Sequence, residues 1–154
     1  AARLEIPMAL AIIGGDPARF APFANLYRES LTKLGVPQLP VSIHSPGHVA
    51  KTDEQAIEEA WPGYERSFGK IGQERGWAPT TKEHFLSEVN HGSMYVGSPE
   101  TVAKKIAHAL ESVGATRFDL KYDMGPLPHS KLIRSIELYA TEVVPMVRQL
   151  LTTQ

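Results

Sequence analysis

The segment from Val96 to Val144 most constrains the fold of this 154-residue chain. It begins with Gly97-Ser98-Pro99-Glu100, in which a serine suited to capping a helix precedes a proline at the first helical position, where its missing N–H costs nothing. Apolar residues then recur at helical spacing up to Gly114, which suits a left-handed residue at a helix end. A strand from Phe118 to Tyr122 and a second apolar helical face follow. Helix, strand and helix joined by tight turns indicate an α/β fold.

Two further strands are predicted upstream of this segment. Residues 6–13 are apolar throughout, which predicts a parallel strand buried on both faces. Gly14-Gly15 ends that strand, and Asp16 begins a helix whose expected inward side chains are Phe20, Phe23, Tyr27, Leu31 and Leu34. The second strand is predicted over residues 39–45 and is followed by Pro46-Gly47. Each of the three strands is followed by a helix, so a parallel sheet is expected.

Residues 52–92 are longer than an ordinary connection between strands, and we predict that they form a helical insertion. Thr52 or Asp53 is the expected cap of its first helix, and Thr80-x-x-Glu83 predicts a capping box for a second, short helix. The chain is then one domain, residues 1–154. Three strands cannot close a barrel, because closure takes about eight strands.

Three stretches resemble the C-terminal end of the bacterial luciferase-like flavin-dependent monooxygenases: Val96-Gly97-Ser98-Pro99-Glu100-Thr101-Val102-Ala103-Lys104-Lys105-Ile106, Leu127-Pro128-His129 and Arg134-Ser135-Ile136-Glu137-Leu138. The stretch from Ala9 to Phe20 is similar to a middle strand and helix of the same family. The resemblance covers nearly the whole chain in the family's order. It implies the C-terminal portion, about strands six to eight, of a TIM-type (β/α)8 barrel. The family's flavin phosphate loop, which follows strand five, would lie upstream of Ala1, and a start at alanine suggests a processed product or a fragment.

Composition argues against several classes of function. The net charge of −1 and the pI near 6.7 give no electrostatic reason to expect nucleic acid or an acidic membrane as a partner. With no cysteine, the chain has no disulfide scaffold, thiol nucleophile or thiolate metal site. The longest apolar run is far shorter than the ~20 residues that a membrane helix needs. We therefore expect a cytoplasmic protein.

Ile12, Ile13, Gly14 and Gly15 are the candidate cofactor-binding residues. They end the first strand at the carboxyl edge of the sheet, where barrel enzymes build their sites, and glycine lets a planar ligand approach the backbone closely. In the resembling family, the matching strand end packs along the isoalloxazine ring. The alternative is a strand-to-helix turn that needs permissive residues and binds nothing.

His44 is the candidate catalytic residue. Together with Ser45 and His48 it lies around the predicted end of the second strand, where it could donate a hydrogen bond to a flavin intermediate or a substrate, or transfer a proton. The alternative is a partly solvated loop histidine. No metal is expected, because Pro46-Gly47 prevents His44 and His48 from sharing a helical face and the other histidines have no ligand spacing.

The predicted third strand has one polar side. Asp119, Lys121 and Asp123 alternate with apolar residues, which is unusual for a strand buried on both faces. These charges either line a wet barrel mouth, pair with one another, or protect an exposed edge strand from aggregation. Ser98 leaves a similar choice, between a helix cap and a phosphate ligand, and the cap requires no ligand.

The resemblance implies a flavin-dependent oxidoreductase that acts on a small organic substrate. Reduced FMN, or a deazaflavin relative, would bind at the barrel mouth; monooxygenase members activate O₂, and deazaflavin members transfer hydride. A flavin reductase is a candidate partner. The alternative is a non-catalytic half-barrel that associates with itself and binds no flavin. Without the phosphate loop, flavin binding by this chain alone should be weak or absent, the isolated chain is expected to be inactive, and its uncovered surfaces predict a homo-oligomer.

Overall fold

The computed structural model describes residues 1–122 and 125–152, so Asp123 lies outside the described residues. The described residues form four strands: β1 (Met8–Ala11), β2 (Val41–Val49), β3 (Tyr95–Gly97) and β4 (Arg117–Lys121). The helices are α1 (Ala21–Leu34), α2 (Asp53–Arg75), α3 (Lys82–His91), α4 (Pro99–Val113), α5 (His129–Leu138) and α6 (Val144–Thr152). A π-helical turn, Tyr139–Val143, joins α5 to α6. Neither α2, which is 23 residues long, nor any other described helix has the apolar stretch needed to cross a membrane.

Strand β2 is the centre of a parallel sheet. β1 pairs with one side of it, β4 pairs with the other side, and β3 pairs with its last three residues. The predicted parallel arrangement of three strands is confirmed, and β3 is a fourth strand that the sequence analysis missed. A strand of three residues is too short to show an alternating pattern.

The prediction that the second strand ends at Ser45 is wrong, because β2 continues to Val49. Pro46 and Gly47 lie inside the strand, with Gly47 opposite Tyr95 of β3. A Cβ atom on Gly47 would collide with the Leu120 side chain and the Tyr95 carbonyl oxygen. The glycine is therefore required by the close approach of neighbouring strands, and the Pro-Gly pair is not a turn.

Helix α4 has the predicted start, end and buried face. Ser98 caps it by accepting a hydrogen bond from the Thr101 N–H at 3.4 Å, and Gly114 ends it in the left-handed region at φ 66°. Its predicted inward residues, Val102, Ile106, Ala109, Leu110 and Val113, are all buried. They pack with Val41 and Ile43 of β2 in one hydrophobic core.

The prediction that the first strand is buried on both faces is wrong. Met8 and Leu10 pack against the core, but Ala9 and Ala11 on the opposite face are exposed. Among the described residues, β1 pairs only with β2, so its other edge is also open. An apolar sequence thus forms an edge strand among the described residues. The prediction failed because an apolar composition does not show whether a neighbouring strand is present.

The predicted inward face of α1 is only partly buried. Tyr27 and Leu31 are buried, whereas Phe23 is 58% and Leu34 is 49% exposed. Together with Leu4, Met8 and Leu26, these side chains line an open apolar recess of about 740 Å³ beside β1. No described element covers this recess, which explains why helical periodicity overestimated the burial of α1.

Helices α2 and α3 lie within the predicted insertion. Thr52 caps α2, as predicted, but the cap of α3 is Thr81 instead of Thr80. The two helices enclose a second hydrophobic core, in which the rings of Tyr64 and Phe85 are 4.8 Å apart. The core also contains Val96 of β3, so α2 and α3 pack at the carboxyl side of the sheet.

Candidate functional site

A cleft lies at the carboxyl edge of the sheet. Two adjoining cavities, of about 580 and 410 Å³, share Ile13, Phe68 and Trp77 in their walls. The smaller cavity also reaches Pro46 of β2 and Lys121 of β4. The cleft therefore lies where β1 and β4 end and beside Pro46 within β2, at the carboxyl side of the sheet, which is where open and closed α/β sheets bind their ligands.

Aromatic side chains form one wall of the cleft. Tyr64 and Phe68 of α2 are stacked with ring centroids 4.3 Å apart and planes 20° apart. Trp77, in the loop after α2, stands 47% exposed beside them. Burial, with the nearby Glu88 carboxylate as a second cause, raises the pKa of Tyr64 to about 12, so its hydroxyl stays protonated. An aromatic, apolar wall of this kind suits a planar ring.

Of the four predicted cofactor-binding residues, Ile13 and Gly14 line the cleft. A Cβ placed on Gly14 would meet nothing within 4 Å, so the backbone there is open to a ligand. Ile12 instead belongs to the core: its side chain is buried, its N–H donates to the His44 carbonyl at 2.9 Å, and its carbonyl accepts from Ser45 Oγ at 2.8 Å. Ile12 therefore attaches the end of β1 to β2 and the core, and it does not contact the cleft.

Gly15 is held by a residue that the sequence analysis missed. Its φ is +75°, and its N–H donates to both carboxylate oxygens of Glu88, at 3.1 and 3.0 Å. The same carboxylate accepts the Ser93 N–H at 3.1 Å. Glu88 occupies an ordinary position of a short helix, so nothing local in the sequence marks it.

The end of α3 is held by a half-buried lysine. Lys105 Nζ donates to the carbonyl oxygens of Glu88 at 3.1 Å and Met94 at 2.7 Å. Burial lowers the pKa of Lys105 to about 8, although the Glu88 carboxylate opposes the shift. Because these are the carbonyls of a helix C-terminus and of the chain leaving it, Lys105 fixes the position of the helix that carries Glu88.

His44 lies beside the cleft and is not part of its wall. It is in the middle of β2, between Ala11 of β1 and Asp119 of β4, and it is half-buried. Residues two apart on a strand share a face, so His44 is on the face of Pro46, about 7 Å further from the cleft. The predicted position at a strand end is wrong because β2 continues beyond Ser45.

The face of the sheet that carries His44 is polar along β2 and β4. Ser42 and His44 lie on it with Arg117 and Asp119 of β4. Arg117 Nη2 is 2.7 Å from Asp119 Oδ1, and its Nε donates to the same oxygen at 2.8 Å. Asp119 is therefore paired with Arg117, and among the described residues it does not pair with Lys121, as one interpretation of these charges required. Lys121 lines the smaller cavity, and β4 is an edge strand among the described residues, so its charges also protect an open edge.

The predicted grouping of His44, Ser45 and His48 is not formed. Ser45 is bonded to Ile12, and His48 is 1% exposed with its Nε2 2.8 Å from Glu59 Oε2 on α2. Burial alone would raise the pKa of Glu59, but hydrogen bonds from His48, Gln55 and Lys131 outweigh it and lower the pKa. This buried pair attaches α2 to the end of β2.

The amino terminus of α4 is occupied by a carboxylate of the protein itself. Asp53 Oδ1 accepts the Ser98 N–H at 2.6 Å, and its Oδ2 accepts the Thr101 hydroxyl at 3.0 Å. An anion at this helix start would have to displace Asp53. The contacts therefore favour the interpretation of Ser98 as a cap over that of a phosphate ligand. Within residues 1–122 and 125–152, no three side chains that could bind a metal come together.

Comparison with known proteins gives the fold. The chain is similar to the monooxygenase RslO1 from Streptomyces bottropensis, with a TM-score of 0.77 and 18% identity over 94% of this chain and 43% of that one. The oxygenating constituent of 3,6-diketocamphane monooxygenase from Pseudomonas putida was solved in complex with FMN. It matches with a TM-score of 0.69 and 19% identity over 95% of this chain and 44% of that one. The coenzyme F420-dependent tetrahydromethanopterin reductase from Methanopyrus kandleri matches with a TM-score of 0.55 and 19% identity over 89% of this chain and 44% of that one.

This chain thus spans less than half the length of each of those enzymes. No protein-family model matches its sequence, and no curated protein matches it. At identities below 20%, the likeness establishes a shared α/β fold with a parallel sheet.

Proposed function

We propose that this chain is the C-terminal part, about strands six to eight, of a (β/α)8 barrel in a luciferase-like flavin-dependent oxidoreductase that acts on a small organic substrate. The observation that carries the proposal is the cleft at the ends of β1 and β4, beside Pro46 of β2, with Ile13 and Gly14 on one side and Phe68 and Trp77 on the other. The likeness in fold to a monooxygenase solved with FMN and to a coenzyme F420-dependent reductase supports a flavin or deazaflavin as the cofactor.

The residues of the cleft fit a planar cofactor ring. The open backbone of Gly14 lets a ring approach, the exposed side chain of Ile13 gives it an apolar surface, and the aromatic wall keeps water away. The bound flavin would supply the redox chemistry. His44, on the polar face next to the cleft, would donate a hydrogen bond or a proton to the substrate or the reduced cofactor. A flavin reductase would be the partner that delivers reduced flavin.

Flavin titration tests this proposal. FMN added to the purified chain should quench Trp77 emission with weak affinity, because no stretch of residues 1–154 resembles the family's phosphate loop. Gly14→Val should remove the binding, since the new side chain enters the cleft. Gly69→Ala is the matched control, because a Cβ at that helical glycine also meets nothing within 4 Å and the residue does not line the cleft. A chain that binds neither FMN nor a deazaflavin at any attainable concentration would contradict the proposal.

The second candidate function is a non-catalytic half-barrel that associates with itself. The open edges of β1 and β4 and the apolar recess beside α1 favour it. The same titration distinguishes the two, because this alternative requires no flavin binding.

A further inference from the structure

The two ends of the cleft differ in charge. The larger cavity has Glu88 and His84 in its wall, whereas the smaller cavity has Arg75 and Lys121. Arg75 is the last residue of α2, and Lys121 is the last residue of β4. The pairing of β4 with β2 and the packing of α2 above the sheet bring these two cations to one cavity.

Neither cation is neutralised by a described partner. Within residues 1–122 and 125–152, no carboxylate oxygen lies within 4 Å of the charged group of Arg75 or Lys121. The guanidinium carbon of Arg75 is instead 5.3 Å from the ring centroid of Trp77. This cation–π contact holds the positive charge at the cleft wall.

The surroundings of the two cations are apolar. Ile13, Phe68 and Ile71 line the same cavity, whose volume is about 410 Å³. Apolar walls lower the local dielectric and strengthen the attraction of a cation for an anion. A guanidinium also presents paired N–H donors that match a carboxylate, sulfonate or phosphate. The cavity therefore offers a surface for a ring next to a site for a negative charge.

We infer that the cleft binds a planar aromatic molecule that carries one anionic group, with its ring against Phe68 and Trp77 and its charge beside Arg75 and Lys121. Two kinds of molecule share this chemistry: an aromatic acid as the organic substrate, and the phosphate-bearing tail of FMN. The conclusion that the substrate is an aromatic acid rests on the proposed function. The conclusion that the cleft prefers an anionic ligand does not, because it requires only charge-selective binding.

Two pairs of probes that differ in charge test the inference. 8-Anilinonaphthalene-1-sulfonate and N-phenyl-1-naphthylamine share an aromatic skeleton, but only the first is anionic. FMN and riboflavin form the second pair, because riboflavin lacks the phosphate. Quenching of Trp77 emission reports binding at the cleft. Quenching that persists in Trp77→Phe comes from Trp61, and includes any effect of probe bound in the apolar recess.

The double variant Arg75→Gln/Lys121→Gln should lower the affinity for an anionic probe about tenfold and leave its neutral counterpart unchanged. Arg66→Gln is the control, because Arg66 is exposed on α2 and does not line the cleft. Wild-type affinity for the anionic probe should also fall with added NaCl. All three residues are exposed, so the melting temperatures of the variants should match that of the wild type.

The outcomes separate the sources of the anion. If the double variant weakens the naphthalene sulfonate but not FMN, the anion is that of an aromatic acid; if it weakens FMN but not riboflavin, the anion is the flavin phosphate. Equal effects on anionic and neutral probes, or an equal effect of Arg66→Gln, would overturn the inference. Charge-selective sulfonate binding without any flavin binding would leave it standing and contradict the proposed function.

Discussion

Glu88 holds the backbone N–H of Gly15 with both oxygens of its carboxylate, at 3.1 and 3.0 Å, although the two residues are 73 positions apart. Through this contact, a helix of the predicted insertion sets the shape of the turn that follows β1. The turn places Ile13 and Gly14 on the cleft. Residues 52–92 therefore provide one wall of the cleft, and through Glu88 they also fix the opposite wall.

Glu88→Gln should destabilise the chain and weaken ligand binding at the cleft. The amide has one acceptor oxygen and no charge, so Gly15 loses its bidentate contact with a carboxylate, and the NH₂ group would face the N–H of Gly15, donor against donor. We expect a loss of about 1–3 kcal/mol in the free energy of unfolding, measured by urea denaturation. Glu65→Gln, at an exposed position of α2, should change it little. Equal losses in the two variants would show that the Glu88 contact does not matter.

Asp53 should make stability depend on acid pH. Burial alone would raise its pKa, but the hydrogen bonds from Ser98 and Thr101 lower it below the ordinary value of 3.8. Its folded pKa is thus lower than its unfolded pKa, so its contribution is complete above pH 3.8 and is lost as the pH falls through the folded pKa. Asp53→Asn should cost about 1 kcal/mol at neutral pH and remove this part of the acid dependence.

The control for this measurement is Glu54→Gln, since Glu54 is the exposed neighbour of Asp53 in the first turn of α2. Thermal unfolding at a series of pH values compares the two variants. If both curves keep the acid dependence of the wild type, the carboxylate of Asp53 is not the group responsible.

His44→Ala should lower turnover in a protein that supports the proposed flavin chemistry, with little change in melting temperature. The side chain is half-buried on a polar face, so its removal costs little packing, while the donor beside the cleft is lost. Steady-state kinetics and differential scanning calorimetry measure the two effects. His108→Ala, at an exposed position of α4, is the control. A loss of several degrees with activity per folded molecule intact would make His44 a structural residue.

The isolated chain should be a dimer or a larger homo-oligomer. The uncovered apolar surface is the recess along α1, where Phe23 and Leu26 are 58% and 62% exposed. The exposed face of the sheet carries Ser42, His44 and Arg117 and is polar, so it is the weaker candidate for an interface. Burial of the recess between two copies would remove this apolar area from water.

Sedimentation velocity tests the association. Leu26→Asp should shift the chain toward the monomer, whereas Leu151→Asp, at an exposed position of α6 away from the recess, should not. A wild-type chain that stays a compact monomer at high concentration and binds FMN tightly would show that it forms a complete pocket by itself.

The features that could be predicted were local ones. The cap at Ser98 and the end at Gly114 fixed the limits of α4, because capping depends on residues within a turn of the helix end. The glycines after the first strand correctly indicated where the chain leaves the sheet toward the cleft. Pro46-Gly47 was wrongly predicted to end the second strand. A Pro-Gly pair has the same local sequence whether it forms a turn or whether, as here, the glycine is required by the close approach of neighbouring strands.

The sequence by itself determined the helices, three of the strands and their parallel arrangement, because periodicity and capping act over a few residues. Only the tertiary structure decided that Glu88 would bind Gly15, that His44 would lie beside the cleft, and that Arg75 and Lys121 would share a cavity. These residues are far apart in the sequence and show no common pattern. They meet because β2 pairs with both neighbours and because α2 and α3 pack above the strand ends. Long-range pairing and packing depend on the whole chain, and no local window contains them.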